Sequence, residues 1–137
     1  MESCTVKWDD RLATGVGAVD AGHRELVDLH NRIVGACERE VSVSGMRERT
    51  RTFLMYARWH FHEEEEYMRR IRYPDYVDHK ADHKRLLDDA GDFVASLGTA
   101  LTREDCPAIA SYFSFWLTRH MTEKDRALRD FLRDTGT

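Results

Sequence analysis

Apolar residues recur at spacings of three and four positions through four segments of the chain, a pattern typical of amphipathic α-helices. The segments lie at about residues 20–39, 46–71, 74–97 and 105–132. Four long amphipathic helices joined by short connections favour an up-down-up-down four-helix bundle. We therefore predict an all-α domain that spans residues 1–137 and begins with an irregular N-terminal arm at residues 1–19.

Capping and turn residues set the expected ends of these helices. Asp20 is a favourable N-cap for the first helix. Pro74 falls in the first turn of the third helix, where no backbone N–H donor is needed. Pro107, in the first turn of the fourth helix, favours Asp105 over Thr102 as its cap. We expect loops at the turn-forming residues Ser42, Ser44, Gly45 and Gly98, and we expect Trp8 of the arm to dock on the bundle.

Composition narrows the class of protein without changing the predicted fold. Of the 137 residues, 42% are hydrophobic and 34% are charged, and the chain contains 2 Pro and 8 Gly. An all-β domain of this size would need more turn residues. The net charge of −4 lacks the basic footprint of a nucleic-acid-binding protein. No apolar run approaches the ~18–20 residues of a membrane span.

The cysteines and the N-terminus indicate a cellular compartment. Cys4, Cys37 and Cys106 are odd in number and far apart, so they do not form a disulfide framework. The first residues carry no signal-peptide pattern. We therefore expect a cytoplasmic protein, and we expect a monomer with neither a nucleic-acid nor a membrane partner.

Histidines fall on the apolar stripes of all four predicted helices. Burying an imidazole without a partner costs about 1–3 kcal/mol. A single such residue is more often an ordinary core histidine than a ligand, but several on inward faces indicate a shared metal centre. The stripe histidines are His23, His30, His60, His79, His83 and His120.

Two pairs spaced four residues apart sharpen the metal prediction. His60 and Glu64 project from one face of the second helix, and His79 and His83 from one face of the third. Glutamate is rarely buried without a partner, so Glu64 on a stripe suits a ligand. His62 and Glu66 share this spacing but lie in a charge run with Glu63 and Glu65, and we expect this run on a solvated face.

The donor types restrict the metal. Histidines and carboxylates without a thiolate cluster argue against a structural zinc site and suit iron, manganese or catalytic zinc. The chain offers more ligands than one ion needs, which favours two ions with a carboxylate between them. We expect His30, two turns from His23, to be a core or supporting histidine rather than a ligand.

Four motifs match one family over nearly the whole chain. They are GVGAVDAGHREL at 15–26, HFHEEEEYM at 60–68, YPDYVDHKADH at 73–83 and WLTRHMTEKD at 116–125. In this combination the sequence resembles the hemerythrins, in particular the single-domain bacterial ones. The resemblance implies a non-haem di-iron site bridged by an oxo or hydroxo group. The implied ligands are His79, His83 and His120 on one iron, His23 and His60 on the other, and Glu64 and Asp125 as bridges.

The implied ligand set leads to an expected function. Two octahedral ions offer about twelve positions, and this set with its bridge fills all but one, on the iron with two histidines. The resemblance therefore implies reversible O2 binding, for storage, delivery or sensing, and no enzymatic role. Trp116 and Leu117 are expected in the apolar wall of the O2 pocket. The expected partners are O2 and a protein that accepts O2 or transmits a signal.

An enzyme is the alternative function. A di-iron oxidase, a peroxidase or a nitric-oxide-handling protein would need more open positions on the metals. Ferritin-like di-iron enzymes carry Glu-x-x-His pairs, and the nearest approach here is Asp20-x-x-His23, at a helix start. A plain structural bundle with satisfied histidines is the third alternative.

The match departs from the family at two positions, and the spacing of a third residue, Asp125, is awkward for a regular helix. Gly22 stands where the family often has Gln, and Met121 stands where Ile is common. Asp125 lies five residues after His120, which is about 140° around a regular helix. A regular helix would present Lys124 to the site and Glu123 as the nearer carboxylate. We therefore predict a π-bulge at 121–124 that turns Asp125 inward.

Overall fold

Four helices account for nearly all of the described chain. The computed structural model describes residues 5–38, 43–97 and 103–135. Within these ranges there is no β-strand, and short 3-10 turns lie at Asp10–Leu12 and Arg103–Asp105. The helices are α1 (Gly17–Glu38), α2 (Val43–Arg70), α3 (Tyr76–Leu97) and α4 (Cys106–Thr135). The all-α prediction is confirmed.

Contacts between consecutive helices show that their directions alternate. His23 and His30 of α1 lie beside Glu64 and Phe53 of α2 respectively, so sequence numbers rise on one helix as they fall on the other. The same opposition relates α2 to α3 and α3 to α4. The Trp116 indole N–H donates to the Leu86 carbonyl at 3.0 Å and joins the last two helices. The architecture is an up-down-up-down four-helix bundle.

Several helix ends differ from the sequence prediction. The α1 helix begins at Gly17, three residues before the predicted cap Asp20. The Asp20 carboxylate instead accepts hydrogen bonds from Thr14 N at 2.7 Å, Thr14 Oγ1 at 2.8 Å and Gly15 N at 3.1 Å. Asp20 therefore fixes the turn that leads into α1, where Gly15 has φ +90.

The other predicted ends are off by a few residues. The α2 helix already begins at Val43, so Ser44 and Gly45 are helical rather than looped. The α3 helix begins at Tyr76, and Pro74 lies in the turn before it. Pro107 does lie in the first turn of α4, directly after Asp105 and Cys106. The predicted loop residues Ser42 and Gly98, and Thr102, lie outside the described residues.

The N-terminal arm is held against α1. The Asn31 side chain accepts from Val6 N at 2.9 Å and donates to the Val6 carbonyl at 2.9 Å. Trp8 packs on the core, as predicted, and the Arg24 guanidinium lies 5.0 Å from its ring centre.

Two apolar clusters fill the bundle on either side of a polar layer. The large cluster is centred on aromatic and branched side chains, among them Ile33, Phe53, Phe61, Phe113 and Trp116. The small cluster consists of the buried residues Met68, Tyr73, Leu128 and Leu132. Among the described residues, helices α2 and α4 contribute buried residues to both clusters, whereas α1 and α3 contribute buried residues to the large cluster alone. All four helices contribute to the polar layer, where the predicted ligands lie. None of the described helices is long and apolar enough to cross a membrane.

Candidate metal centre

Seven side chains converge in the polar layer between the two clusters. Each of these residues is at most 3% exposed. Helices α1, α2, α3 and α4 all contribute, since inward stripe positions on each helix reach the bundle axis at the same level. The seven are the sequence-predicted ligands His23, His60, Glu64, His79, His83, His120 and Asp125.

One group of donors, here called the three-histidine position, forms around His79, His83 and His120. The Nε2 atoms of His83 and His120 are 3.2 Å apart. Glu64 Oε1 lies 2.8 Å from His79 Nε2 and 3.5 Å from His83 Nε2. Asp125 Oδ1 lies 3.3 Å from the Nε2 atoms of both His79 and His120. The donor atoms of the three histidines and Glu64 all lie within 4.8 Å of one another, and Asp125 Oδ1 is a fifth donor beside His79 and His120.

A second group, the two-histidine position, uses the other oxygen of each carboxylate. His23 Nε2 lies 3.2 Å from Glu64 Oε2 and 3.0 Å from Asp125 Oδ2. His60 Nε2 lies 3.2 Å from Glu64 Oε2. The donor atoms of His23, His60 and Glu64 lie within 4.8 Å of one another, and Asp125 Oδ2 is a fourth donor beside His23. Glu64 and Asp125 therefore each present one oxygen to each position.

The spacing of these donors fits metal ions. Two ligand atoms about 2.1 Å from an octahedral ion and at right angles to each other are about 3.0 Å apart. The observed separations of 2.8 to 3.5 Å match this value. Carboxylate oxygens and imidazole nitrogens also form a donor set that iron and other first-row metals accept.

Buried polar atoms provide a second test of fit. Among the described residues, His60 Nε2, His79 Nε2, Glu64 Oε1 and both Asp125 oxygens are buried and make no hydrogen bond. Each such atom costs about 1–3 kcal/mol when it is left unsatisfied. Cations at the two positions would satisfy these atoms together, so the residues fit the metals that the sequence predicts.

The electrostatics of the metal-free chain show strong coupling among these groups. Burial would lower the pKa of His23 and His120, but the Asp125 and Glu64 carboxylates outweigh it and raise both values to about 10. The same balance raises the pKa of His79 to about 9. Burial lowers the pKa of His60.

The two carboxylates respond in the opposite sense. Burial opposes ionisation of Glu64, but its contacts with four histidines hold its pKa well below the usual value. Burial and Glu64 both oppose ionisation of Asp125, and His120 and His23 outweigh them, so its pKa is also well below the usual value. The raised pKa values of the histidines and the lowered pKa values of the carboxylates have one cause, which is that the two buried carboxylates favour positive charge beside them.

Two further carboxylates, Glu65 and Asp82, support the ligands and were missed by the sequence analysis. Glu65 Oε2 lies 2.7 Å from His83 Nδ1, and Asp82 Oδ2 lies 3.1 Å from His120 Nδ1. The charge run predicts a solvated position for Glu65, and this prediction is wrong. Helical spacing could have identified both residues, because Glu65 is four residues after buried Phe61 and Asp82 is three residues after buried His79.

Asp125 reaches the site from a regular helix, so the predicted π-bulge is wrong. Residues 106–135 form one α-helix. Its buried face extends from Trp116 to Asp125 over about half of the circumference, at about 100° per residue. Leu117 lies at the middle of this arc, and His120 and Asp125 lie toward its two edges. Glu123, the nearer carboxylate in sequence, is exposed and pairs with Arg119 at 3.3 Å.

Gly22 is in direct contact with a predicted ligand. A Cβ atom at this position would overlap the His60 ring at Nδ1 and Cε1. The Tyr56 ring lies nearly parallel to the His60 ring, with 6.5 Å between centres. The absence of a side chain at position 22 therefore permits this orientation of His60.

The remaining candidates lie outside the donor groups. His30 is fully buried against Phe53, at 6.5 Å between ring centres, and belongs to neither group. His62 is exposed, and Glu66 pairs with Arg69 at 2.6 Å, as expected of a solvated face. Trp116 and Leu117 are buried in the large cluster. Trp116 lies 5.7 Å from Phe61, whose ring stacks on His83 at 3.9 Å.

Comparison with known proteins agrees with this arrangement. The family described as "Hemerythrin HHE cation binding domain" matches residues 14–132, which include all seven converging side chains. A curated relative named Bacteriohemerythrin, from Clostridium acetobutylicum, is 25% identical over 126 residues, or 90% of this chain and 98% of the relative. The chain belongs to the hemerythrin family.

Proposed function

We propose that the chain binds O2 reversibly at a non-haem di-iron centre, for O2 storage, delivery or sensing. The observation that carries the proposal is the division of the two carboxylates. Glu64 and Asp125 each turn one oxygen toward the three-histidine position and the other toward the two-histidine position. This is the arrangement expected of carboxylates that bridge two ions. Membership of the hemerythrin family supports the choice of iron and of O2.

The ligand roles follow from the donor groups. His79, His83 and His120 would hold one iron, and His23 and His60 would hold the other, with Glu64 and Asp125 shared. The chain gives five donor atoms to the first iron and four to the second. The two-histidine iron therefore has more room for an external ligand. Two ferrous ions would supply the two electrons that O2 takes up on binding.

The surrounding residues favour binding over turnover. The large cluster closes the site on one side and the small cluster closes it on the other. Trp116 and Leu117 belong to this apolar enclosure, which excludes water and so slows loss of the bound gas. Most coordination positions are taken by the chain, and few are left for a second substrate. We propose a cytoplasmic protein whose partner accepts O2 or responds to its binding.

The visible spectrum, with a count of bound iron, tests the proposal. The protein is examined as isolated, after anaerobic reduction, and after admission and removal of O2. We expect two irons per chain and a charge-transfer band that appears with O2 and fades on its removal. Rapid oxidation without a stable oxygenated form would overturn O2 carriage and favour the oxidase, peroxidase or nitric-oxide-handling enzyme.

A pair of histidine variants separates the site from nonspecific iron binding. His60→Ala removes a donor from the two-histidine position, and iron should fall to one per chain or less, with loss of the O2-dependent band. His62→Ala is the matched control, since His62 lies two residues away on the same helix but is exposed. Equal effects of the two substitutions would contradict the proposed ligand set.

A further inference from the structure

We propose that Glu65 and Asp82 are positioning residues that make the three-histidine position the tighter of the two metal sites, so that the first ion binds there. This inference rests on the proposed two-metal function. It adds an order of assembly and a difference in affinity between the two ions.

Asp82 orients His120. Its Oδ2 lies 3.1 Å from His120 Nδ1, and the side chain is largely buried. Its other oxygen contacts the Arg85 guanidinium, which holds the carboxylate in place. When the neutral His120 ring donates from Nδ1 to Asp82, its one N–H proton is on Nδ1 and the Nε2 lone pair is free to bind a metal, so this contact selects the ligating tautomer.

Glu65 does the same for His83 from another helix. Its Oε2 lies 2.7 Å from His83 Nδ1, and 15% of the Glu65 side chain is exposed. The Phe61 ring lies parallel to His83 at 3.9 Å between centres and fixes the plane of the imidazole. Two of the three histidines at this position therefore each have a carboxylate behind them.

The two-histidine position shows no such support among the described residues. His23 Nδ1 is buried and makes no hydrogen bond there. His60 Nδ1 faces the backbone at Gly22, where not even a Cβ atom fits. This position also has four donor atoms from the chain rather than five.

The difference has a predictable size. Carboxylates behind ligating histidines fix the ring and make the nitrogen more basic, and their loss typically lowers metal affinity by about 10–100-fold. With two such carboxylates on one side only, the first ion should bind more than about tenfold tighter than the second. The ion at the two-histidine position should be the first to leave under a chelator.

Binding of Co2+ to the full-length, metal-depleted chain under anaerobic conditions tests the inference. We expect two resolved steps. At one equivalent, the large contact shifts that mark imidazole protons of metal-bound histidines should appear for His79, His83 and His120 and not for His23 or His60. Shifts on His23 and His60 first, or equal filling of both positions, would overturn the inference. This readout needs no substitution.

Variants test the two residues themselves. Asp82→Asn and Glu65→Gln should each weaken the first step by about 10–100-fold and leave the second step less affected. Glu66→Gln is the matched control, since Glu66 neighbours Glu65 but pairs with Arg69 on the surface. Weakening no greater than that of the control would overturn the positioning roles. Melting curves without metal confirm that each variant is folded.

The two proposals fail in different ways. If one ion binds in the predicted place but a second never does, the di-iron function fails and the preference for the three-histidine position stands. If two irons bind and carry O2 but load together, the function stands and the order of assembly fails.

Discussion

The two ends of the bundle are built differently, although helices α2 and α4 contribute buried side chains to both. The large cluster contains 16 buried apolar residues of the described chain, and the arm is fastened across it through Trp8. The small cluster contains 4, with partly buried side chains around them. Burying one large apolar side chain contributes about 1.5–3 kcal/mol. We therefore expect the large end to be stable by itself, and we expect the small end to depend on metal bound in the polar layer beside it.

Removing the metal should produce the largest difference in stability between the two ends of the bundle. A ligand at 1,000 times its Kd stabilises the native state by about 4 kcal/mol. Chelation should therefore lower the Tm markedly, and amide hydrogen exchange should accelerate most in residues 64–70 and 120–132. Residues 26–36 should be protected longer. Equal Tm values with and without metal would show that the site is not a structural element.

Two fully buried side chains, one in each cluster, allow a sharper comparison. Phe53→Ala in the large cluster should cost about 3–5 kcal/mol, with or without metal. Leu128→Ala in the small cluster should cost about 2–5 kcal/mol with metal. Without metal its cost should shrink, because that end is already partly open. Both residues are 0% exposed in the folded chain. Denaturant unfolding of both variants in both states is the measurement.

Gly22→Ala tests whether crowding at the two-histidine position disturbs the fold. The new Cβ would overlap the His60 ring, and overpacking of this kind costs about 1–3 kcal/mol. Gly91→Ala is the matched control, because Gly91 is helical with no atom near the added Cβ, and it should gain about 0.4–1 kcal/mol. Thermal unfolding and the amount of bound metal are measured together. Equal behaviour of the two variants would contradict the close contact.

The smallest expected effect is the difference between the metal-free and metal-loaded protein in how the free energy of unfolding depends on pH. In the metal-free chain His23 and His120 have pKa values of about 10 and His79 of about 9, against 6.5 unfolded. Their stabilisation is thus complete below about pH 6.5 and is lost as pH rises toward 9–10. The lowered pKa values of Glu64 and Asp125 give stability above their ordinary values of 4.5 and 3.8, which is lost on acidification.

Bound metal should oppose the loss of stability that the metal-free chain shows as the pH rises above 6.5. Histidine must lose its proton to bind a metal, so affinity rises with pH. The gap in unfolding free energy between the loaded and metal-free protein should widen between pH 6.5 and 9, by about 1.4 kcal/mol per pH unit for each proton released. Melting curves across this range are the measurement. A constant gap would mean that the metal displaces no protons.

Sequence periodicity predicts the core of this molecule because a helical stripe and a buried face are the same feature. The four helices and the inward positions of the histidines follow from that pattern. Helix ends follow less well. Asp20 is an ordinary N-cap residue type, but its carboxylate binds the preceding turn at Thr14, and only the three-dimensional arrangement decides between the two roles.

The errors at the site share one physical cause. The pattern of apolar residues along a helix predicts where the centre of its buried face lies, but it does not predict how far around the helix that face extends. The spacing from His120 predicts that Asp125 of a regular α4 would point away from the site, yet the buried face of α4 is wide enough to include it. Glu65 was assigned to the solvent, yet it lies at the edge of the buried arc of α2, where it reaches His83. Edge positions need the neighbouring helix to be placed first.

The close contact between Gly22 and His60 also has a consequence for how this sequence can change. Any side chain at position 22, including the glutamine that the family resemblance leads one to expect there, would collide with the His60 ring as it now lies. A variant in which Gly22 alone is replaced should therefore have a disturbed His60 position. The ring of His60, or the backbone beneath it, would have to move first. Because glycine lacks a Cβ atom, a change that moves the His60 ring must come before any substitution of Gly22.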